Sequence, residues 1–277
     1  LKLNVSKVPN ESSASIAPER SPISGFVVTF NEQANIADCL KSLEFCDELL
    51  VVDSFSTDNT LVIAKELGAK VVQRSWAGYK DQKEFGCSTV SNEWVISLDA
   101  DERVSEELKK SILYVLEQDH AGKIDPEIAG YEVNRVVFHL GRWWRRGGWY
   151  PEYRLRFFRR SRVAWGGTEP HDKVIPSGIT KRLDGELLHF SYKDLTDQVN
   201  RLNKYSSISV DSAVEGGRGF SVLSLIVNPF IRFFKFYIIK QGFREGVAGF
   251  VVATIEAFYT FLKYAKLWEK SRKQKKL

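Results

Sequence analysis

The chain holds 277 residues, 43% of them hydrophobic and 27% charged, which excludes wholesale disorder and suits one large domain or two small ones. The net charge of +5 is unevenly placed, with eight arginines against Glu152 between Gly141 and Arg162 and seven basic residues against Glu269 between Lys263 and Leu277. Such clusters either draw phosphates (on nucleotides, lipid headgroups or nucleic acid) or form a solvated face. Cys39, Cys46 and Cys87 show no CxxC spacing, which argues against a disulfide framework and a zinc ribbon and for a reducing compartment. Leu1 to Ser24 has no apolar run of signal-peptide length.

Residues 1–22 are polar and are expected to form a loose arm. Ile23 to Phe30 reads as a buried strand. A helix is expected over Gln33 to Glu44, with Ile36, Leu40 and Leu43 on one face. Glu48 to Asp53 is a second strand. Asp58 or Thr57 caps a helix to Leu67, which Gly68 ends. Ala69 to Gln73 and Trp94 to Leu98 are the third and fourth strands, and Ser105 caps a helix reaching Gln118. Alternating strands and helices imply a parallel sheet covered on both faces. Ligands on such sheets bind at the carboxyl ends of strands. Those ends here are Thr29–Glu32, Asp53–Ser56 and Asp99–Asp101, all polar and all carrying acids.

Strands and turns dominate from Gly130 to Phe190, and the chain turns helical from Leu195. Phe220–Lys240 and Val247–Lys266 are strongly apolar. Asn228, Pro229, Arg232 and Lys235 interrupt the first and Glu256 the second, so neither reads as a clean membrane span. Phe230, Phe233, Phe234 and Tyr237 fall at helical spacings with Arg232 and Lys235 set aside from them. This pattern fits an amphipathic helix in a membrane interface, its basic tail adding attraction to anionic lipid; the alternative is ordinary packing on the rest of the chain.

Asp99-Ala100-Asp101 places two carboxylates around one small residue just past a buried strand. Like charges so close need a cation between them, or one must hold a proton. Oxygen ligands suit Mg²⁺ or Mn²⁺ completed by substrate phosphates. The alternative is an acid cluster at a helix N-terminus, since Asp101 and Glu102 also precede the Ser105 helix.

Val27-Val-Thr-Phe-Asn-Glu32, Val51-Val-Asp-Ser-Phe-Ser-Thr-Asp58 and Leu98-Asp-Ala-Asp-Glu102 together resemble the family 2 glycosyltransferases of the GT-A fold. Gly147-Gly-Trp-Tyr-Pro151, Arg154 to Arg160, His171-Asp172 and Leu188-His-Phe-Ser-Tyr192 look like the β-1,4-glucosyltransferase subgroup acting on the lipopolysaccharide inner core. The resemblance implies an α/β GT-A catalytic domain over 23–193 and a helical membrane-associating region over 194–277. It implies that Thr29, Asn31, Glu32 and Asp53 hold the base and ribose of a UDP-hexose. Asp99 is placed near ribose and metal, Asp101 on Mg²⁺ or Mn²⁺, and His189 either completes the metal or diphosphate contacts or is structural. Lys83 reaches a phosphate or lies on a solvated helix face.

Asp172 is implied as the general base, with His171 orienting it. The family usually has Glu there, so Glu169 is a substitute, and Asp172 could instead be a turn residue or pair with Lys173. Trp149, Tyr150, Arg154 and Arg156 are implied to meet the sugar or phosphate of a glycolipid acceptor. The implied activity is inverting transfer of a hexose to a heptose hydroxyl, at an anionic membrane surface on the cytoplasmic face of a bacterial inner membrane. Nucleic acid is not an expected partner. The alternatives are a polyprenyl-phosphate sugar synthase, whose phosphate acceptor needs no general base, and a non-catalytic membrane adaptor.

Overall fold

The computed structural model describes residues 19–168, 171–217 and 219–274, except the side chains of Thr168, His171, Lys273 and Gln274. Residues 1–18 of the expected arm, and Glu169, lie outside the described residues. The chain is already tied down at residue 20, where Arg20 pairs with Asp47 at 2.8 Å and the Ser21 amide donates to Leu116 O.

Four strands and three helices alternate first: β1 (Ile23–Thr29), α1 (Ile36–Ser42), β2 (Glu48–Asp53), α2 (Thr60–Glu66), β3 (Lys70–Gln73), α3 (Tyr79–Thr89) and β4 (Trp94–Asp99). Next come β5 (Glu102–Val104), α4 (Glu106–His120), β6 (Ile128–His139), β7 (Arg142–Trp144), β8 (Glu152–Arg159), β9 (Val163–Thr168), β10 (His171–Pro176) and β11 (Ile179–His189). The C-terminal part is α5 (Leu195–Glu215), α6 (Val222–Phe234) continued by a π-helical turn (Lys235–Ile239), a short 3-10 turn (Gly242–Glu245) and α7 (Gly246–Gln274).

The sheet order is β3-β2-β1-β4-β8-β6-β11-β5, with β7 on β6. The first four strands are parallel, as their sequence pattern requires. The second half departs from a wholly parallel sheet: β8 runs antiparallel to both β4 and β6, and the link between β6 and β8 is taken up by β7, which turns back onto β6, rather than by a crossover helix. All of β1 is buried. One face packs Ile36, Leu40 and Leu43 with Leu108, Ile112 and Leu116 of α4. The other packs Phe26 and Val52 with Cys87 of α3 and Trp165 of β9.

Two helix starts differ from expectation. α1 begins at Ile36 rather than Gln33, because the Asn35 and Ile36 amides both turn back to Glu32 O. α2 begins at Thr60 with Asn59, not Asp58 or Thr57, at its N-cap position and no side-chain cap bond; Asp58, one residue further out, accepts from the Thr60 amide at 3.0 Å. Ser105 caps α4 as expected, its hydroxyl accepting from the Leu108 amide.

β11 carries an irregularity between Arg182 and Glu186. There Gly185 takes φ +92°, and an added Cβ would sit 2.3 Å from the Leu108 amide nitrogen. Gly185→Ala therefore combines left-handed strain with a backbone clash. It is expected to lower stability by about 1–3 kcal/mol, read as a lower urea midpoint at unchanged m-value.

α6 and α7 pack on each other, and α7 also packs on α5. By length and composition, Val222–Ile239 and Gly242–Arg272 are each able to cross a membrane. Leu223 and Phe230 are 71% and 73% exposed, and Ile226, Phe234, Val247 and Phe250 are also exposed. Arg232 does not lie on a separate polar face. It turns to Glu256 of α7, at 2.7 Å. The joint between the two helices docks on the turns flanking β7: the Gly147 amide donates to Lys240 O at 2.9 Å, and Arg142 and Arg146 both reach Glu245.

Candidate active site

The carboxyl ends of β1 and β2 are stitched together by polar side chains. Asn31 Oδ1 accepts from the Thr57 amide at 2.8 Å, the Asn31 amide donates to Ser56 Oγ at 2.8 Å, and the Glu32 amide donates to Thr60 Oγ1 at 2.9 Å. Asn31 and Phe55 hold left-handed backbone, φ 54° and 63°, which costs energy in a non-glycine residue and persists where the surroundings impose it. This stitching leaves Phe30 and Phe55 exposed at the mouth of the strand ends. Neither aromatic was singled out by sequence reading, although each sits between polar strand-end residues.

Thr29 and Asp53, expected at the donor, point into the fold instead. Asp53 is fully buried and accepts from the Ser56 amide and hydroxyl and from Gln73 Nε2. Its side chain shapes the loop and is closed to a ligand.

Asp99 ends β4 between two cations. Lys83 Nζ is 2.8 Å from Oδ1 and Arg156 is 2.7 Å from Oδ2. Burial raises the Asp99 pKa, but Lys83 and then Arg156 outweigh it and hold the group well below the usual carboxylate range. Lys83 is itself buried, and not on a solvated face. Its second carboxylate is Asp172 of β10, at 3.1 Å. One ammonium thus joins the end of β4 to the β9–β10 hairpin. The His171 side chain lies outside the described residues.

Arg156, expected at the acceptor, is buried and also bonds Glu102 at 2.8 Å. Glu102 is the hub of this layer: fully buried, it accepts from Arg156, from Arg135 at 3.1 Å and from the Asp99 amide at 3.0 Å. Arg135 continues to Glu152. Glu102→Gln would leave two buried guanidinium groups short of countercharge. It is expected to cost about 3–5 kcal/mol, seen as a lowered melting temperature.

Asp101 lies beside His189, Oδ2 to Nε2 at 3.4 Å. The register explains it: β5 pairs antiparallel with β11 so that His189 faces Glu102, and the Phe190 amide donates to Asp101 O. Burial raises the Asp101 pKa, and the His189 charge and hydrogen bond more than reverse this. Glu32 is raised, first by burial and further by Asp101, against an Asn35 hydrogen bond. Arg201 of α5 is close enough for its charge to favour both carboxylates, and sequence reading did not find it.

A divalent cation was expected on Asp99, Asp101 and His189. Among the described residues no three His, Cys, Asp or Glu side chains form a closed cage, and both oxygens of Asp99 are taken by Lys83 and Arg156. Asp101 and His189 remain as two adjacent, partly exposed donors. That open pair fits a Mg²⁺ or Mn²⁺ completed by substrate phosphates. The buried His189 Nδ1 has no partner.

Next to His189 opens a cleft of about 400 Å³ lined by Arg135, Trp149, Glu152, Ser191 and Tyr192. Trp149 and Tyr150 part company: Tyr150 donates to Glu186 at 3.0 Å and lines a separate polar cleft with Arg145. Arg154 pairs with Glu152. The basic segment is thus largely neutralised, for Arg142, Arg145, Arg146, Arg154, Arg156, Arg159 and Arg162 each meet a carboxylate.

The family described as glycosyl transferase family 2 matches residues 24–175. The chain belongs to that family. The α/β architecture above is its GT-A fold, and the family makes the chain a sugar-transferring enzyme. A relative named lipopolysaccharide core biosynthesis glycosyltransferase LpsC, from Rhizobium meliloti, is 30% identical over 256 residues, covering 90% of this chain and 93% of the relative. An uncharacterized glycosyltransferase of Rickettsia typhi is 34% identical over 263 residues, covering 91% and 89%. Among solved structures, glucosyl-3-phosphoglycerate synthase from Mycobacterium tuberculosis aligns with a TM-score of 0.34 at 22% identity, over 43% of this chain and 44% of that one. The family 2 match spans Asn31, Lys83, Asp99, Asp101 and Asp172, and His189 and the C-terminal helices lie beyond it.

Proposed function

We propose that this family 2 glycosyltransferase is an inverting, divalent-metal-dependent enzyme that moves a hexose from a UDP-sugar to a heptose hydroxyl of the lipopolysaccharide inner core. The observation that carries the reading is the juxtaposition of Asp101 with His189 on one side of Asp99 and of Asp172, through Lys83, on the other. A donor diphosphate at Asp101 and His189 puts its sugar between the strand ends and the aromatic cleft. The name of the Rhizobium meliloti relative supports the acceptor class.

A cation held by Asp101 and His189 would act as a Lewis acid, offsetting charge on the departing diphosphate. Asn31 and Glu32 present acceptors to the hydroxyls and N–H groups of the nucleoside. Arg201 offers a guanidinium on the phosphate side. Asp172 takes the proton from the attacking hydroxyl as that oxygen reaches the anomeric carbon from the face opposite the diphosphate. Lys83 holds that carboxylate in place. Trp149 and Tyr192 give the acceptor sugar an aromatic wall.

Residues 23–193 are the catalytic domain in this reading, and 194–277 carry the membrane contact. The exposed Leu223, Phe230 and Phe234, followed by the basic end of α7, fit an anionic membrane surface at the cytoplasmic face. UDP release from a panel of UDP-sugars, with and without Mn²⁺, on core glycolipid from a strain lacking this gene tests the whole. Metal-dependent release from a UDP-hexose is the expected result. No release from any donor would overturn it.

A further inference from the structure

Arg232 is the charged residue inside α6, and Glu256 is the first charged residue along α7, ahead of its basic end. Arg232 gives Glu256 Oε2 two hydrogen bonds, at 2.7 and 3.2 Å. The other carboxylate oxygen accepts from the Trp149 indole N–H at 3.0 Å. The Arg232 guanidinium also lies 4.2 Å over the Phe236 ring. Phe236 in turn closes on Gly148, where an added Cβ would come within 2.8 Å of that ring. The chain of contacts therefore runs from the exposed apolar helices to Trp149, which lines the cleft beside His189.

The Arg232 side chain is 37% exposed and the Glu256 side chain 12%, and an ion pair open to water at one end adds about 0–1 kcal/mol, so helix packing alone gives little reason for these two residues. Trp149, the third partner, gives one. Tyr192, 5.9 Å from the Trp149 ring, feels the same carboxylate: burial first, then Glu256, push its pKa up to about 12.

We infer that Glu256 is a positioning residue that fixes Trp149 in the wall of the acceptor cleft, making the lipid-facing helices and the sugar-binding cleft one structural unit. The inference rests on the reading of that cleft as the acceptor site.

The test uses the full chain carrying Arg232→Leu with Glu256→Leu, so that neither charge is stranded. Three quantities are measured: the melting temperature, UDP release from UDP-glucose without acceptor, and transfer against the concentration of heptose-terminated core glycolipid in detergent micelles. The expected result is an unchanged or higher melting temperature, unchanged UDP release and a KM for glycolipid raised about tenfold, the scale of one lost hydrogen bond to a charged group. Glu256→Gln, whose amide oxygen still accepts from the indole, stays near wild type. Trp149→Phe removes the indole N–H together with the fused five-membered ring and raises the glycolipid KM at least as much, with no further rise when combined with the double change.

An unchanged KM in the folded double variant, or additive effects, would overturn the inference. If the double variant does not fold, Trp149→Phe decides, since a normal glycolipid KM in that variant is equally fatal. Wild-type protein that releases UDP but never glycosylates the glycolipid overturns the acceptor reading and this inference with it. Transfer by wild type with a normal KM in every variant overturns this inference alone.

Discussion

Asp101→Asn is expected to lower sugar transfer about 10³-fold, the scale of losing one preorganised electrostatic contact to a developing charge. Asp101 is the only one of the twin aspartates free to meet a ligand, since Asp99 is spent on Lys83 and Arg156. Asn keeps the shape and the backbone bond from Phe190 to residue 101, so the melting temperature is expected to hold. The loss is electrostatic: an amide carries no charge to balance a cation beside a diphosphate. Calorimetric titration of Mn²⁺ in the presence of UDP checks this directly. Wild type is expected to bind the ion and Asp101→Asn to lose most of that affinity. Transfer by the variant at the wild-type rate would remove the metal from the proposal.

Asp172→Asn is expected to cut transfer about 10²–10⁴-fold, the usual contribution of a positioned general base, with UDP-glucose affinity unchanged. The amide cannot take a proton from the acceptor hydroxyl. Lys83 keeps Asp99 as its partner, so the substitution strands no buried charge and turnover reports chemistry rather than folding. Near-normal turnover would mean an acceptor that is already an anion, which moves the enzyme to the polyprenyl-phosphate sugar synthases. Equilibrium binding of UDP-glucose to the same variant separates a lost base from a lost donor site.

The strand-end half of the candidate site was legible in the chain because it follows a local rule. β1, β2 and β4 are short apolar runs, and each ends in a polar group that a parallel sheet must place at one edge. Asn31, Asp99 and Asp101 could be found that way. What each carboxylate does there could not. Asp53 and Asp101 look alike at strand ends, yet one is enclosed by Ser56 and Gln73 while the other faces His189. Glu102 passed as part of an acid cluster before a helix, and Arg156 as one cation in a basic run. The first is the buried centre of the site and the second one of its partners.

By itself, then, the amino-acid order determined the alternating strands and helices, the strand-end acids and the apolar C-terminal helices, because each depends on residues a few positions apart. The tertiary structure alone decided which charges neutralise one another. Glu102 meets Arg156 54 residues later, Lys83 bridges two distant aspartates, and Arg232 and Trp149 converge on Glu256. A buried charge is tolerable only beside its counter-ion, and which counter-ion arrives is settled by strand order and helix packing, over separations that no local pattern reaches.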